Sequence, residues 1–241
     1  MDKRQDTALR AIKAISFDLD DTLWECYPAI ERADQALMAF LHERCDVMKT
    51  QLTRESFYDL RASFIRRHPH LLGDVSLLRR GLLVELLQAC DDHHTLAEEA
   101  YAFFYHARSQ VDLYPDALPV LTALKEGYAL AALTNGNADL GIIGIDHLFA
   151  EAHFATLDCP AKPEPDMFHR TCDALGIAPN ELMHVGDNPE TDVMGARNAG
   201  AVTVWINRTG MDWPDALEPA DADITTLDEL PAIVRQWGAY V

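Results

Sequence analysis

The chain has 241 residues, 49% of them hydrophobic and 24% charged, which suits a folded protein with a sizeable core and argues against disorder. Its formal net charge of -19 is the wrong sign for a nucleic-acid binder, which needs Lys and Arg facing phosphates. No apolar run approaches the roughly 18 residues that a membrane-spanning helix requires.

A brief apolar run at residues 14–17 reads as a buried strand ending in the acidic segment Asp18-Leu19-Asp20-Asp21-Thr22. From Trp24 to Val111 the strand signal disappears and four amphipathic helices can be drawn. Their apolar stripes are Ile30, Ala33, Leu37 and Phe40; Phe57, Leu60 and Phe64; Leu83, Leu86, Leu87 and Cys90; and Ala97, Tyr101 and Phe104. Thr95 with Glu98 is a candidate capping box for the last of them. The chain returns near Asp112-Leu113-Tyr114-Pro115, where proline breaks the helix. Beyond it, helices are expected over 117–126, 166–175 and 191–199, and strands over 129–133, 182–185 and 202–206. Pro165 suits the first turn of the second helix, and Gly200 stops the third. Strands alternating with helices predict an α/β fold with a Rossmann-like, doubly wound parallel sheet as its core. The expected division is a core of residues 1–23 and 112–241 with a helical bundle, 24–111, inserted after the first strand.

Cys26, Cys45, Cys90, Cys159 and Cys172 form no CxxC pair. They read as reduced thiols in a cytoplasmic protein, not as a zinc site. The polar residues 1–10 carry no apolar signal core, which fits the same location.

In an open parallel sheet, ligands bind beyond the carboxyl ends of the strands. Those ends here carry Asp18 and Asp20, then Thr134, Asn135 and Gly136, then Gly186 and Asp187, with Lys162 in the Pro-rich loop Ala161-Lys162-Pro163-Glu164-Pro165. Residues i and i+2 of an extended segment share a side, so Asp18 and Asp20 can face one substrate. Two adjacent carboxylates repel, and a divalent cation relieves the repulsion by taking one as a ligand. Magnesium, which prefers oxygen ligands, suits such a site, and Asp187 would complete it. Lys162 would offset the charge of an incoming phosphate, and the Thr134 hydroxyl and nearby backbone N–H groups would donate to its oxygens.

This set resembles the haloacid dehalogenase-like hydrolase superfamily. The family's four motifs are matched in order by Asp18-Leu19-Asp20-Asp21-Thr22, by Thr134 in Leu133-Thr134-Asn135-Gly136, by Lys162, and by Gly186-Asp187-Asn188-Pro189-Glu190-Thr191-Asp192. The resemblance implies a phosphatase acting on a small phosphorylated metabolite. In it Asp18 attacks phosphorus and Asp20 is the acid and base. Mg²⁺ is held by the Asp18 carboxylate, the Asp20 backbone carbonyl and Asp187. Thr134, Asn135 and Lys162 bind phosphate, and Asp192 orients Lys162 or a metal-bound water. The helical insert would be the family's cap. The basic stretch from Arg66-Arg67-His68-Pro69-His70 to Arg79-Arg80 either meets a substrate's distal groups or is a solvated face, the blander reading being preferred.

Three other readings share parts of this pattern. A dehalogenase on the same fold would not need an acid two residues after the nucleophile, a phosphomutase would return the phosphoryl group to substrate, and a receiver module would hold it without turnover. The segments Leu133-Thr134-Asn135-Gly136-Asn137 and Gly73-Asp74-Val75, followed by Arg79-Arg80, look like bacterial phosphatases. That group acts on flavin mononucleotide and on the phosphorylated ribitylaminouracil of riboflavin synthesis.

Overall fold

Ala14–Phe17, every residue of which is buried, forms the centre of a parallel sheet in the computed structural model, which describes residues 11–238. The polar opening stretch, 1–10, lies outside the described residues. In chain order the elements are β1 (Ala14–Phe17), α1 (Cys26–Arg44), α2 (Asp46–Gln51), α3 (Arg54–Arg67), α4 (Val75–Leu86), α5 (His93–Arg108), α6 (Ala117–Lys125), β2 (Ala129–Thr134) and α7 (Leu140–Ile143). They continue with β3 (Glu151–Phe154), α8 (Asp166–Leu175), β4 (Leu182–Gly186), α9 (Gly195–Asn198), β5 (Val202–Ile206), β6 (Ala222–Ile224) and α10 (Leu230–Gly238).

The strand order is β3-β2-β1-β4-β5-β6, and every pairing is parallel. The chain winds outward from β1 through β2 to β3, crosses back to β4, and winds outward again, so the sheet is doubly wound. β1 lies between β2 and β4, with Ile15 opposite Leu130 and Met183. The carboxyl ends of these three strands therefore meet at the topological switch point, where such sheets bind ligands. Ala117, Leu121, Leu230 and Val234 of α6 and α10 pack on one face of the sheet. Met167, Phe168, Cys172 and Ala196 of α8 and α9 pack on the other. This two-sided cover is why the strands read as continuous apolar runs.

Two strands were not expected from sequence. β3 and β6 are the edge strands, only half covered and carrying polar Glu151, His153 and Asp223, so they lack the apolar run that marks a central strand. The helix expected over 191–199 is also different. Asn188 accepts the Glu190 and Thr191 N–H groups and starts the turn early, and Pro189–Met194 winds as a π-helix before α9.

The helices of residues 26–108 bury their apolar faces against one another in a separate cluster that includes Leu37, Phe57, Phe64, Leu83, Ala97, Tyr101 and Phe104. There are five α-helices here among the described residues rather than four, because the short α2 carries too little sequence to show a period. Thr95 and Glu98 do not form a cap: α5 begins at His93, which leaves Thr95 inside the first turn. The capping box belongs to α3 instead, where Thr53 and Ser56 bond each other's backbone N–H. The expectation of reduced thiols throughout is corrected as well. Cys45, between α1 and α2, and Cys90, after α4, meet at a Cα separation of 6.3 Å and form a disulfide.

The basic stretch is engaged within the insert. Arg67 pairs with Glu85 and Arg80 with Glu98, while Arg79 is buried on Asp34 at 2.8 Å and lies over the Phe104 ring. These arginines tie helix to helix; Arg79 is buried, while Arg67 and Arg80 stay half exposed. The chain enters and leaves the insert side by side, since Trp24 bridges Leu113 and the Tyr114 N–H donates to Leu23 O at 2.8 Å. No helix among the described residues is long and apolar enough to cross a membrane.

Candidate active site

Asp18 follows β1 directly, and its N–H donates to Val185 O at 2.9 Å, extending the β1–β4 ladder by one residue. Its Oδ1 accepts from Lys162 Nζ at 2.7 Å. The Lys162 ammonium is buried and has three protons, which go to Asp18, to Asp192 Oδ1 at 2.6 Å and to Leu133 O at 2.7 Å. The loop that delivers this lysine is fastened to the end of β2 by a reciprocal pair. The Asn135 amide donates to Lys162 O, and its carbonyl accepts the Lys162 N–H, both at 2.8 Å. The side chain of Asn135 is thus directed at the lysine loop, which leaves its backbone N–H and the second amide proton uncommitted.

Asp192 is bonded on both oxygens. Besides Lys162, it receives the Asn188 N–H on Oδ2 at 2.9 Å and faces His184 Nε2 at 3.4 Å. Gly186 makes room for it, because a Cβ there would stand 2.4 Å from Asp192 Cγ. His184, with Ser16 Oγ 2.9 Å from its Nδ1, is pushed toward the neutral form chiefly by burial.

The electrostatics are those of a dry site with too many carboxylates. Burial lifts the Asp18 carboxyl well above its usual value; Lys162 opposes the shift, while Asp192 and Asp187 add to it. Burial lifts Asp187 to about 7, with Asp192 and Asp21 adding to the effect. For Asp192, burial is outweighed by Lys162 and His184, and the carboxylate is held ionised below the usual range. Lys162 in turn stays charged, its burial more than offset by Asp18 and Asp192.

Asp20 has its own set of partners. Its carboxylate accepts from Trp24 Nε1 at 2.9 Å and from Arg108 Nη2 at 2.7 and 2.6 Å. It also abuts the turn after β2, where a Cβ on Gly136 would fall 2.3 Å from Asp20 Oδ2. Thr134 Oγ1 accepts the Gly136 N–H at 2.9 Å and keeps its own proton for another acceptor. Between Asp20 and Trp24, Asp21 takes φ 60°, a left-handed turn that an Asp tolerates, and its Oδ1 accepts the Cys26 N–H at 2.8 Å. Arg108, Trp24 and His184 were missed from sequence. Arg108 had one faint signal, being a cation in the last turn of the helix that precedes the return to the core.

One carboxylate oxygen each from Asp18, Asp187 and Asp192 can be chosen so that all lie within 4.8 Å of one another. Three carboxylates face one ammonium, an all-oxygen donor set with excess negative charge, and this fits a hard divalent cation. Asp192 takes three contacts, whereas the Asp187 carboxylate takes a long one from the Thr22 hydroxyl, 3.5 Å, and its own backbone N–H. Asp18 and Asp187 are the less heavily bonded of the three and have more lone pairs to offer. A cavity of about 530 Å³ opens at Asp187 and is walled by Tyr27, Tyr114 and Arg208. A second, of about 220 Å³, lies over Gly136 and Asn137 beneath Ser76 and Tyr105 of the insert.

A family model described as haloacid dehalogenase-like hydrolase matches residues 12–200. The chain is 30% identical over 237 residues to the 5-amino-6-(5-phospho-D-ribitylamino)uracil phosphatase YigB of Escherichia coli, covering 94% of this chain and 98% of that protein. It is 31% identical over 235 residues to the glyceraldehyde 3-phosphate phosphatase of Methanopyrus kandleri, covering 93% and 98% respectively. A crystal structure of a 2-haloacid dehalogenase from Pseudomonas syringae superposes with a TM-score of 0.85 at 35% identity, covering 94% of this chain and 99% of that one.

Proposed function

The chain belongs to the haloacid dehalogenase-like hydrolases, and from that premise we propose that it is a magnesium-dependent phosphatase of small phosphorylated metabolites, working through an aspartyl-phosphate on Asp18. The observation that carries this reading is the second carboxylate. Asp20 is held by Arg108 and Trp24 against the Thr134–Gly136 turn. A dehalogenase has no use for a proton donor there, whereas a phosphate ester needs its leaving oxygen protonated.

The sequence of events follows from the positions. Lys162 holds Asp18 Oδ1 and with it the direction of attack. Asp20, a carboxylate on Arg108 in the free protein, takes up a proton as the anionic ester binds; Asp18 then bonds to phosphorus, the ester bond breaks, and Asp20 gives that proton to the departing oxygen. Water then attacks the aspartyl-phosphate, Asp20 takes the water's proton, and phosphate leaves with Asp18 restored. The Thr134 hydroxyl, whose oxygen already accepts the Gly136 N–H, and the Asn135 backbone N–H hold the phosphoryl oxygens. The Asp18 and Asp187 carboxylates and the Asp20 backbone carbonyl would hold magnesium, which when bound would supply charge neutralisation at the phosphoryl group. Asp192 keeps Lys162 charged and aimed. Phosphate-monoester hydrolysis demands accelerations of up to about 10²¹, and positioned charge is the main means of reaching them.

Residues 24–111 are the cap and residues 1–23 with 112–241 the core. The leaving group occupies the space between them. Flavin mononucleotide or 5-amino-6-(5-phosphoribitylamino)uracil is the proposed substrate. The resemblance of segments 133–137 and 73–80 supports both, and the likeness to the Escherichia coli 5-amino-6-(5-phospho-D-ribitylamino)uracil phosphatase supports the second.

The test is a panel of phosphorylated metabolites assayed with Mg²⁺, with EDTA, and with Asp18→Asn. Turnover should stop with EDTA, and Asp18→Asn should lose at least about 10³-fold. Normal activity in Asp18→Asn would overturn the mechanism. A flavin mononucleotide rate no better than that of unrelated sugar phosphates would overturn the substrate. The 35% identical dehalogenase structure supports a second reading, decided in the same experiment by chloride release from 2-chloropropionate without phosphatase activity. Product analysis with a sugar phosphate separates hydrolysis from phosphoryl return to substrate.

A further inference from the structure

Arg108 closes α5, a helix of the insert, yet its side chain is buried at the sheet edge. Its guanidinium has five N–H donors. Nη2 donates to both oxygens of Asp20, Nε donates to Asn137 Oδ1 at 3.2 Å, and Nη1 is buried without a hydrogen-bond partner among the described residues. Buried N–H groups without an acceptor are rare in folded proteins, and one beside a catalytic site points to an acceptor that arrives with the ligand.

The charge inventory points the same way. The Lys162 ammonium has all three protons engaged, and Arg208 lies two-pronged on Asp116 at 3.0 Å. Arg208 also spends Nε on Thr22 O, so each of its three nitrogens has a partner; of these three basic side chains, Arg108 is the one with a buried nitrogen that has none among the described residues. It is also in the right place. A Cβ built on Gly136 would lie 3.2 Å from Arg108 Nη2 and 3.2 Å from Thr134 Oγ1. Arg108, the Thr134 hydroxyl and Asp20 therefore border one spot above the turn.

We propose that Arg108 is a substrate-binding residue, its Nη1 donating to an oxygen of the phosphate ester while Nη2 positions Asp20 beside that oxygen. The planar fork of an arginine can serve two acceptors at once, which a lysine cannot do with the same geometry. Because Arg108 ends α5, ligand binding also fastens the insert to the sheet edge. The ligand's identity as a phosphate ester rests on the phosphatase reading above. The competing account is that Arg108 is only a staple between insert and core.

The experiment compares wild type, Arg108→Lys and Arg108→Ala by three readouts. These are steady-state turnover of p-nitrophenyl phosphate with Mg²⁺, calorimetric binding of inorganic phosphate, and the melting temperature. Arg108→Lys should melt near wild type, bind phosphate about tenfold more weakly and lose about tenfold or more in kcat/KM. Arg108→Ala should lose about 10²–10³-fold, and low-millimolar guanidinium should restore part of it. A folded Arg108→Lys with phosphate affinity and kcat/KM within about twofold of wild type overturns the proposal. So does a loss in Arg108→Ala that tracks the melting temperature alone and is not rescued by guanidinium. If wild type turns over no phosphate ester but its phosphate affinity still depends on Arg108, the phosphatase reading falls and the Arg108 phosphate site stands.

Discussion

Asp116 shows what single charges do in this protein outside the reactive centre. It stands before α6 and accepts both ends of Arg208 at 3.0 Å and the Leu227 N–H at 2.8 Å. Burial alone would raise its carboxyl, but the bonds from Arg208 and the Leu227 amide outweigh that and hold it below the usual value. An unfolded Asp116 binds its proton more tightly than the folded one, so the pair stabilises fully above about pH 4 and is lost as acid protonates it. Asp116→Asn should cost about 1.5–3 kcal/mol at pH 7, and the gap to wild type should shrink toward pH 3. Urea unfolding at the two pH values checks this; a gap that stays constant would show that the carboxylate's charge is not what stabilises. The same scale shows what a sequence can disclose. That Asp18, Thr134, Lys162 and Asp187 gather at one edge was legible because each ends a strand or sits in a stiff loop. Arg108 was not, because its partner Asp20 is 88 residues away and nothing local announces the pairing. Asn135 was legible as a polar group at the site but not in its aim, since an amide can reach a ligand or a neighbouring backbone with equal ease.

Among the elements, the helices of the insert were read from their apolar stripes, and the residues of those stripes do pack together. What could not be read was which stripe met which, and so the meeting of Cys45 with Cys90 was missed. That bridge ties the start of α2 to the turn after α4 across 45 residues. Closing a loop of that length stabilises by about 2–4 kcal/mol, so reduction should lower the melting temperature by roughly 5–10 °C. Thiol titration of the unfolded, unreduced chain should find three free thiols, Cys26, Cys159 and Cys172. Five thiols, with no thermal shift on adding reductant, would show that the bridge does not form in solution. The edge strands β3 and β6 were illegible for a different reason. A strand with one partner and little burial needs no apolar pattern, and Glu151 and His153 carry none.

Over the whole molecule, the formal net charge of -19 opposes the approach of any phosphate ester, and salt screens that opposition over a Debye length of about 10 Å at 0.1 M. Raising ionic strength from about 0.01 to 0.15 M should therefore increase kcat/KM for a dianionic substrate by a few-fold. A decrease would mean that the cations at the mouth govern the encounter. The doubly wound sheet was legible as a whole because each central strand repeats one pattern, an apolar run closed by a polar group on the same edge. That edge has a further property, owed to the paired bonds between Asn135 and the backbone of residue 162. Those bonds read only main-chain atoms, so they are blind to the side chain they position. Where the loop stands is written at residue 135, and what it presents is written at residue 162. The two instructions are separable, and the chemistry at this position can be rewritten without redrawing the loop that carries it.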